Sequence, residues 1–301
     1  MTVTVERGAR SSVERLAFAL LVAAGIGIGF SGILVRLSEV GPTASAFWRM
    51  IVSLPPLALW LARERARGEG PRHSLRDRFA LPLAGVLYAA ELVIWHWSLG
   101  FTSVANATVI ANVYPVFVTL GAWLFFRERV SARFLIGLGV AIAGMVVLLG
   151  DKLRLGTGGL TGEALCVVTS VFYGGYILVV ARLRRGHSAA TVMTWSAAVA
   201  SLLLLPMALA AGERITPPDA SGWIALLLLG LICQAGSQGA IAYALAHLPA
   251  SLSALTLLIQ PLTASVMAWL ILDEPIGAFQ FAGGAILLLG IFIAQRSARP
   301  S

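Results

Sequence analysis

The chain has 301 residues, 58% of them hydrophobic and only 12% charged, with a mean hydropathy of +0.86. A soluble domain this apolar could not cover its surface with polar groups, so the composition excludes a fold surrounded by water and makes lipid the solvent. The net charge of +8 says nothing about partners until its distribution along the chain is known.

Apolar runs of about 20 residues predict ten spans, near 16–35, 43–62, 79–99, 103–126, 132–149, 160–181, 189–210, 221–245, 250–272 and 276–294. The first follows Arg7, Arg10 and Arg15 with no small-residue cleavage site after it, so it reads as an uncleaved helix. Its Gly25, Gly27, Gly29 and Gly32 favour close helix packing. Span two holds Arg49, about 10 Å below its outer end at 1.5 Å per residue. Span three holds Glu91 at a similar depth, and the two spans run antiparallel. Ionisable residues inside a membrane are costly, so they point to function. Arg49 and Glu91 are expected to face one interior, either as a structural ion pair or as opposite poles of a site.

Tyr88, Glu91 and Trp95 share one face of span three, at i, i+3 and i+7. A carboxylate between aromatic rings suits an ammonium group, and Arg49 could hold a carboxylate bidentately, so together they suit a zwitterion. His96 and Trp97 read as an interfacial belt. Asn112 and Tyr114 precede Pro115 in span four, Tyr173 and Tyr176 lie in span six, Gln234 and Gln238 in span eight, and Gln260 precedes Pro261 in span nine. These groups either line a cavity or bond helix to helix. Pro115 and Pro261 are expected kinks and candidate hinges, with Gly29 and Gly175.

Cys166 and Cys233 have no CxxC spacing and read as small packing residues. The histidines show no metal-ligand spacing: His73 and His187 fall in loops and His247 at a span end. No nucleotide loop or nucleophile elbow occurs either. The reading is therefore a protein with no catalytic residues, metal or cofactor.

Of the 22 Lys and Arg, 17 fall on one side of the ten spans and four on the other, with Arg49 inside. That asymmetry places both termini in the cytoplasm and assigns the basic excess to topology, not nucleic acid. A constant offset of 146 carries Trp123 onto Trp269, Pro115 onto Pro261, Glu128 onto Glu274, Gly137 onto Gly283, Gly144 onto Gly290 and Leu99 onto Leu245. Five spans per copy is an odd number, so the second copy enters the membrane inverted. Glu128 sits in the basic Arg127-Glu128-Arg129 turn and Glu274 in Asp273-Glu274-Pro275, on the side poor in basic residues. Both read as helix-boundary residues. The halves differ where the chemistry lies: Tyr88 maps to Gln234, Glu91 to Ser237 and Arg49 to Trp195.

The chain thus divides into a cytoplasmic N-terminus (1–15), a five-helix repeat (16–149), a linker (150–159), a second repeat (160–294) and a cytoplasmic C-terminus (295–301). The segments from Ala105 through Pro115 to Glu128 and from Ser251 through Pro261 to Glu274, with Phe47-Trp48-Arg49, resemble the EamA-type exporters of the drug/metabolite transporter superfamily. The resemblance covers about residues 16–294. It implies a ten-span, all-α exporter of amino acids or related metabolites in the bacterial inner membrane, working by alternating access around a cavity between the halves. Aromatic and other apolar amino acids suit the stripe on span three. The first span lacks the membrane glutamate that four-helix multidrug relatives use, so their coupling does not transfer. The rivals are a multidrug exporter of lipophilic cations and a passive facilitator. Expected partners are a small-molecule substrate and the bilayer, with no nucleic acid and no obligate protein.

Overall fold

The computed structural model describes residues 2–67, 77–98, 100–102, 104–150, 159–272 and 277–297. Leu99, His73, Lys152, Arg154 and the Asp273-Glu274-Pro275 turn, with most of the linker, lie outside the described residues.

In lipid every backbone amide and carbonyl must be satisfied within its own segment, which leaves helices for a chain of long apolar runs. The described residues form α1 (Thr2–Gly29), α2 (Ser31–Leu37), α3 (Pro42–Ala66), α4 (Asp77–Ser98), α5 (Val104–Ala111), α6 (Tyr114–Phe126) and α7 (Ala132–Leu148). The second copy supplies α8 (Gly159–Leu183), α9 (Ala189–Ala210), α10 (Ala220–Leu228), a π segment (Leu229–Gln238), α11 (Gly239–Ala244), α12 (Ala250–Thr256), α13 (Ile259–Leu272) and α14 (Ala278–Ser297). Grouped end to end these make nine stretches long and apolar enough to cross a bilayer, with the 17-residue α7 as a shorter tenth, among the described residues. The protein is an all-helical, multi-pass membrane fold.

Polar residues set the helix ends. Pro42 opens α3, where its missing amide costs nothing. Ser131, Ser188 and Asp219 accept from the Phe134, Thr191 and Gly222 amides and cap α7, α9 and α10. At the end of α6, Arg127 turns left-handed (φ 55°), and the Glu128 amide donates back to the Ala122 carbonyl at 3.1 Å.

The interior holds small and polar residues, and large apolar side chains lie on the outside. Ser45, Ser53, Ser196, Ser253 and Thr256 are buried beside many alanines, while Leu120, Trp123, Leu124, Phe125, Leu202 and Phe281 face outward. Where lipid surrounds the protein, small and polar side chains are the ones that hold helices together.

Helices α7 and α14 form the most extensive helix pair. A Cβ on Gly137 would strike Gly290 and Ala294, and one on Gly290 would strike Gly137 and Ala141. Likewise Gly144 meets Gly283 and Leu287, and Gly283 meets Gly144 and Leu148. Each contact is returned by its counterpart 146 residues away. That reciprocity is what a two-fold relation between the repeats produces.

Three spans are more irregular than the sequence predicts. Span one breaks at Phe30, next to Gly29. Spans four and nine are not merely kinked at Pro115 and Pro261 but interrupted, at residues 112–113 and 257–258. Proline supplies no donor for the preceding turn. The Ser170 hydroxyl bonds the Ile110 and Ala111 carbonyls at 2.7 Å, and the Tyr114 hydroxyl bonds the Ala254 carbonyl at 3.2 Å. Gly175, by contrast, lies inside the unbroken α8 with ordinary packing space beside it. The π segment, in the middle of span eight, carries Gln234 and Gln238.

Candidate functional site

Helices α3, α4 and α8, the π segment and the broken span nine bring most of the polar candidates together. Arg49 projects from α3, a buried guanidinium whose Nε donates to Gln234 Oε1 at 2.9 Å. Its Cζ stands 5.7 Å from the Tyr88 ring centre. The Tyr88 hydroxyl donates to the same Gln234 oxygen at 3.1 Å and accepts from Gln238 Nε2 at 3.3 Å. Tyr176 donates to Gln238 Oε1 at 3.5 Å. π-Helical turns (i→i+5 bonds) recur at functional sites, and here one presents both amides to α3, α4 and α8.

The tyrosines form a continuous wall. Tyr88 stacks on Tyr176 with ring centres 4.6 Å apart, Tyr176 lies 5.9 Å from Tyr173, and Tyr173 meets Tyr114 edge-on at 4.6 Å. Tyr173 lies beside Gln238 and Gln260. Glu91 lies one turn from Tyr88 on α4, half-buried and within electrostatic reach of Arg49 and all four tyrosines. Arg49 and Glu91 make no direct ion pair, since Arg49 is held on Gln234. Among the described residues, none donates a hydrogen bond to the Glu91 carboxylate.

Three buried donors in this region have no partner: Arg49 Nη2, Gln234 Nε2 and Gln260 Nε2. Buried polar atoms left unpaired are uncommon and costly, so each requires an explanation. A ligand with acceptor oxygens would satisfy them, and its positive group would complement Glu91.

Other candidates lie elsewhere. Asn112 turns back on its own helix, donating to the Thr108 carbonyl at 2.8 Å. Trp95 is half-buried and meets His96 edge-on at 5.2 Å. Trp97 is exposed as an interfacial residue should be, but His96 turns inward with Nδ1 buried and unpartnered. Cys233 donates to the Gly27 carbonyl at 3.2 Å, a packing contact between α1 and the π segment.

One contact has no forerunner in the sequence reading. Glu128 accepts from the Ala250 amide at 3.0 Å, the Ser251 amide at 3.4 Å and the Ser251 hydroxyl at 2.8 Å. It is a helix-boundary residue of α6, and its carboxylate also caps α12 in the other repeat. Nearby, Arg185 lies over the Phe126 ring at 4.6 Å, and Arg184 Nε donates to the Ala242 carbonyl at 2.7 Å. The Glu128 and Phe126 contacts join the repeats on the arginine-rich face, while the Arg184–Ala242 bond lies within the second repeat. On the opposite face, Glu213 accepts from the Ala44 amide at 2.8 Å and Trp48 Nε1 donates to the Ile215 carbonyl at 2.8 Å.

Among the described residues, nine spanning stretches and the shorter α7, in two reciprocal halves with unspent polar groups between them, fit a membrane transporter with internal repeats. The EamA-like transporter family matches residues 15–150 and 160–295, and the chain belongs to that family. An uncharacterized transporter of Archaeoglobus fulgidus is 25% identical over 92% of this chain and 95% of its own length. A probable terminal-alkyne amino-acid exporter of Streptantibioticus cattleyicolor is 28% identical over 89% and 88%. The pseudopaline exporter of Pseudomonas aeruginosa is 24% identical over 72% and 75%. A solved crystal structure shares the fold, with a TM-score of 0.79 at 16% identity over 95% of this chain and 98% of that one.

Proposed function

We propose that this transporter exports amino acids or closely related zwitterionic metabolites across the inner membrane, with its arginine-rich face in the cytoplasm, by alternating access between the two repeats. The observation that carries this reading is the pairing of unspent polar groups. Arg49 Nη2, with Gln234 Nε2 and Gln260 Nε2, offers donors to a carboxylate, while Glu91 offers to an ammonium a carboxyl group that no described residue hydrogen-bonds. The wall of Tyr88, Tyr176, Tyr173 and Tyr114 favours an apolar or aromatic side chain. Two relatives with exporter names, one of them for an amino acid, support the direction and the class.

Counterflow in proteoliposomes with a panel of labelled amino acids tests the reading. Apolar and aromatic amino acids should exchange. Arg49→Lys, which loses the planar fork that meets a carboxylate, should raise KM about tenfold or more. Glu91→Gln should weaken substrates bearing an amine and leave analogues without one unaffected. If Glu91 also carries the coupling proton, the same variant flattens the pH dependence of transport. Lipophilic cations use the tyrosines and Glu91 but gain nothing from Arg49. Transport of cationic dyes that amino acids do not compete with, unimpaired in Arg49→Lys, would overturn the proposal. Accumulation against a gradient excludes a passive facilitator.

A further inference from the structure

Spans joined by only a few residues ordinarily lie side by side. Helices α6 and α7 are joined by a short turn, yet they make no extended contact, because α7 gives its glycine face to α14. The space between them is a groove of about 850 Å³, walled by Leu120 and Trp123 on α6 and by Leu135 and Leu138 on α7. Arg127 and Arg129 stand at its mouth. From Val116 to the end of α6 the groove runs about 15 Å at 1.5 Å per residue, the depth of one leaflet of a roughly 30 Å hydrocarbon core. An apolar groove open to a bilayer fills with lipid tails. The remaining question is which headgroup it selects.

The mouth answers through its charge. Both arginines are exposed. Between them Glu128 lines the same mouth, its carboxylate turned to Ala250 and Ser251. The left-handed turn at Arg127 is what sends Glu128 toward α12. Neutral donors leave that carboxylate its charge, so the mouth presents two arginines against one acid, a net positive charge of one at headgroup depth. It does so in one repeat only, since the sequence has Asp273 and Pro275 where the first copy has Arg127 and Arg129.

We infer that the groove between α6 and α7 is a binding site for one anionic phospholipid, its tail against Leu120, Trp123, Leu135 and Leu138 and its phosphate on Arg127 and Arg129. The site does not depend on which solute is transported. It shares its turn with Glu128, so an occupied groove steadies the contact that joins the repeats on the arginine-rich face.

Native mass spectrometry and thermal unfolding of the purified full chain in detergent test this. The probes are phosphatidylglycerol, phosphatidylcholine of the same chain length, and inorganic phosphate. Phosphatidylglycerol should bind about fivefold more tightly than phosphatidylcholine, as one net positive charge near an anionic headgroup provides, and should raise Tm. R127Q/R129Q should bring the two lipids to near parity, while L135W, which fills the groove, should weaken both. Equal binding of the two lipids by the unmodified protein overturns the inference, as does a preference that survives R127Q/R129Q. A Tm rise matched by inorganic phosphate alone would reassign the mouth to a free anion and overturn it as well.

Discussion

Arg49 gives its Nε to Gln234 and leaves Nη2 unpartnered, and in the proposed function that free edge is the one that receives a carboxylate. Tyr88 has the complementary duty, donating to Gln234 and accepting from Gln238. Tyr88→Phe keeps the ring in its stack but removes both bonds. It should lower stability by about 1 kcal/mol, read as a fall in Tm in detergent. Arg49 and Glu91 were legible in the sequence because charge inside an apolar run is rare and depth follows from counting residues. The amides and tyrosines were legible as a set, but their pairing was not. Which of Gln234, Gln238 and Gln260 meets Arg49 depends on a π segment that leaves no signature in apolar spacing. Asn112 shows the cost of reading polarity alone, since a side chain that bonds its own helix looks the same in sequence as one that faces a cavity.

Among elements, the α7–α14 pair has the most specific packing. A Cβ on Gly283 would press into the Leu148 backbone, which has no rotamer by which to move aside. Gly283→Ala should therefore destabilise by about 2–3 kcal/mol. Gly139→Ala on the open face of α7, where nothing lies within 4 Å, should be neutral or stabilise by up to about 1 kcal/mol through helix propensity. Thermal unfolding of the two variants side by side checks the contrast. The cap of α10 carries a pH dependence. Asp219 accepts from the Gly222 amide and then the Ser221 hydroxyl, which hold its pKa below the ordinary 3.8. The native state thus binds that proton less readily than the unfolded chain. The stability it contributes is complete above pH 3.8 and drains as pH falls through the depressed value. Asp219→Asn keeps an acceptor at the cap and should melt with less loss between pH 5 and pH 3 than the unmodified protein. Proline and glycine in the sequence pointed to disturbed helices, but not to full breaks at 112–113 and 257–258. The hydroxyl that satisfies the carbonyls of Ile110 and Ala111 comes from Ser170, about sixty positions away, and no local window contains it.

For the whole molecule, alternating access requires the contacts joining the repeats on each face to break in turn. Glu128 with Ser251 is such a contact. Replacing both with cysteine and oxidising the pair should abolish transport, and reduction should restore it. Transport that continues through the cross-link would mean this face stays shut throughout the cycle. The ten spans were readable from hydropathy, and the inversion from an odd span count with alternating basic loops. The way Glu128 reaches across to the other repeat was not, because a carboxylate in a basic turn reads as local charge balance. The offset of 146 recurs in one contact with a further meaning: Tyr88 and Gln234 occupy equivalent positions and touch each other, so the two-fold axis passes between them. Two separate copies of one five-helix chain would set identical side chains face to face there. Fusing the copies into one gene lets the two sides of the axis mutate independently. A hydroxyl can then meet an amide, and Arg49 can turn inward while its counterpart Trp195 faces lipid. A centre built this way can hold a molecule whose own two ends differ.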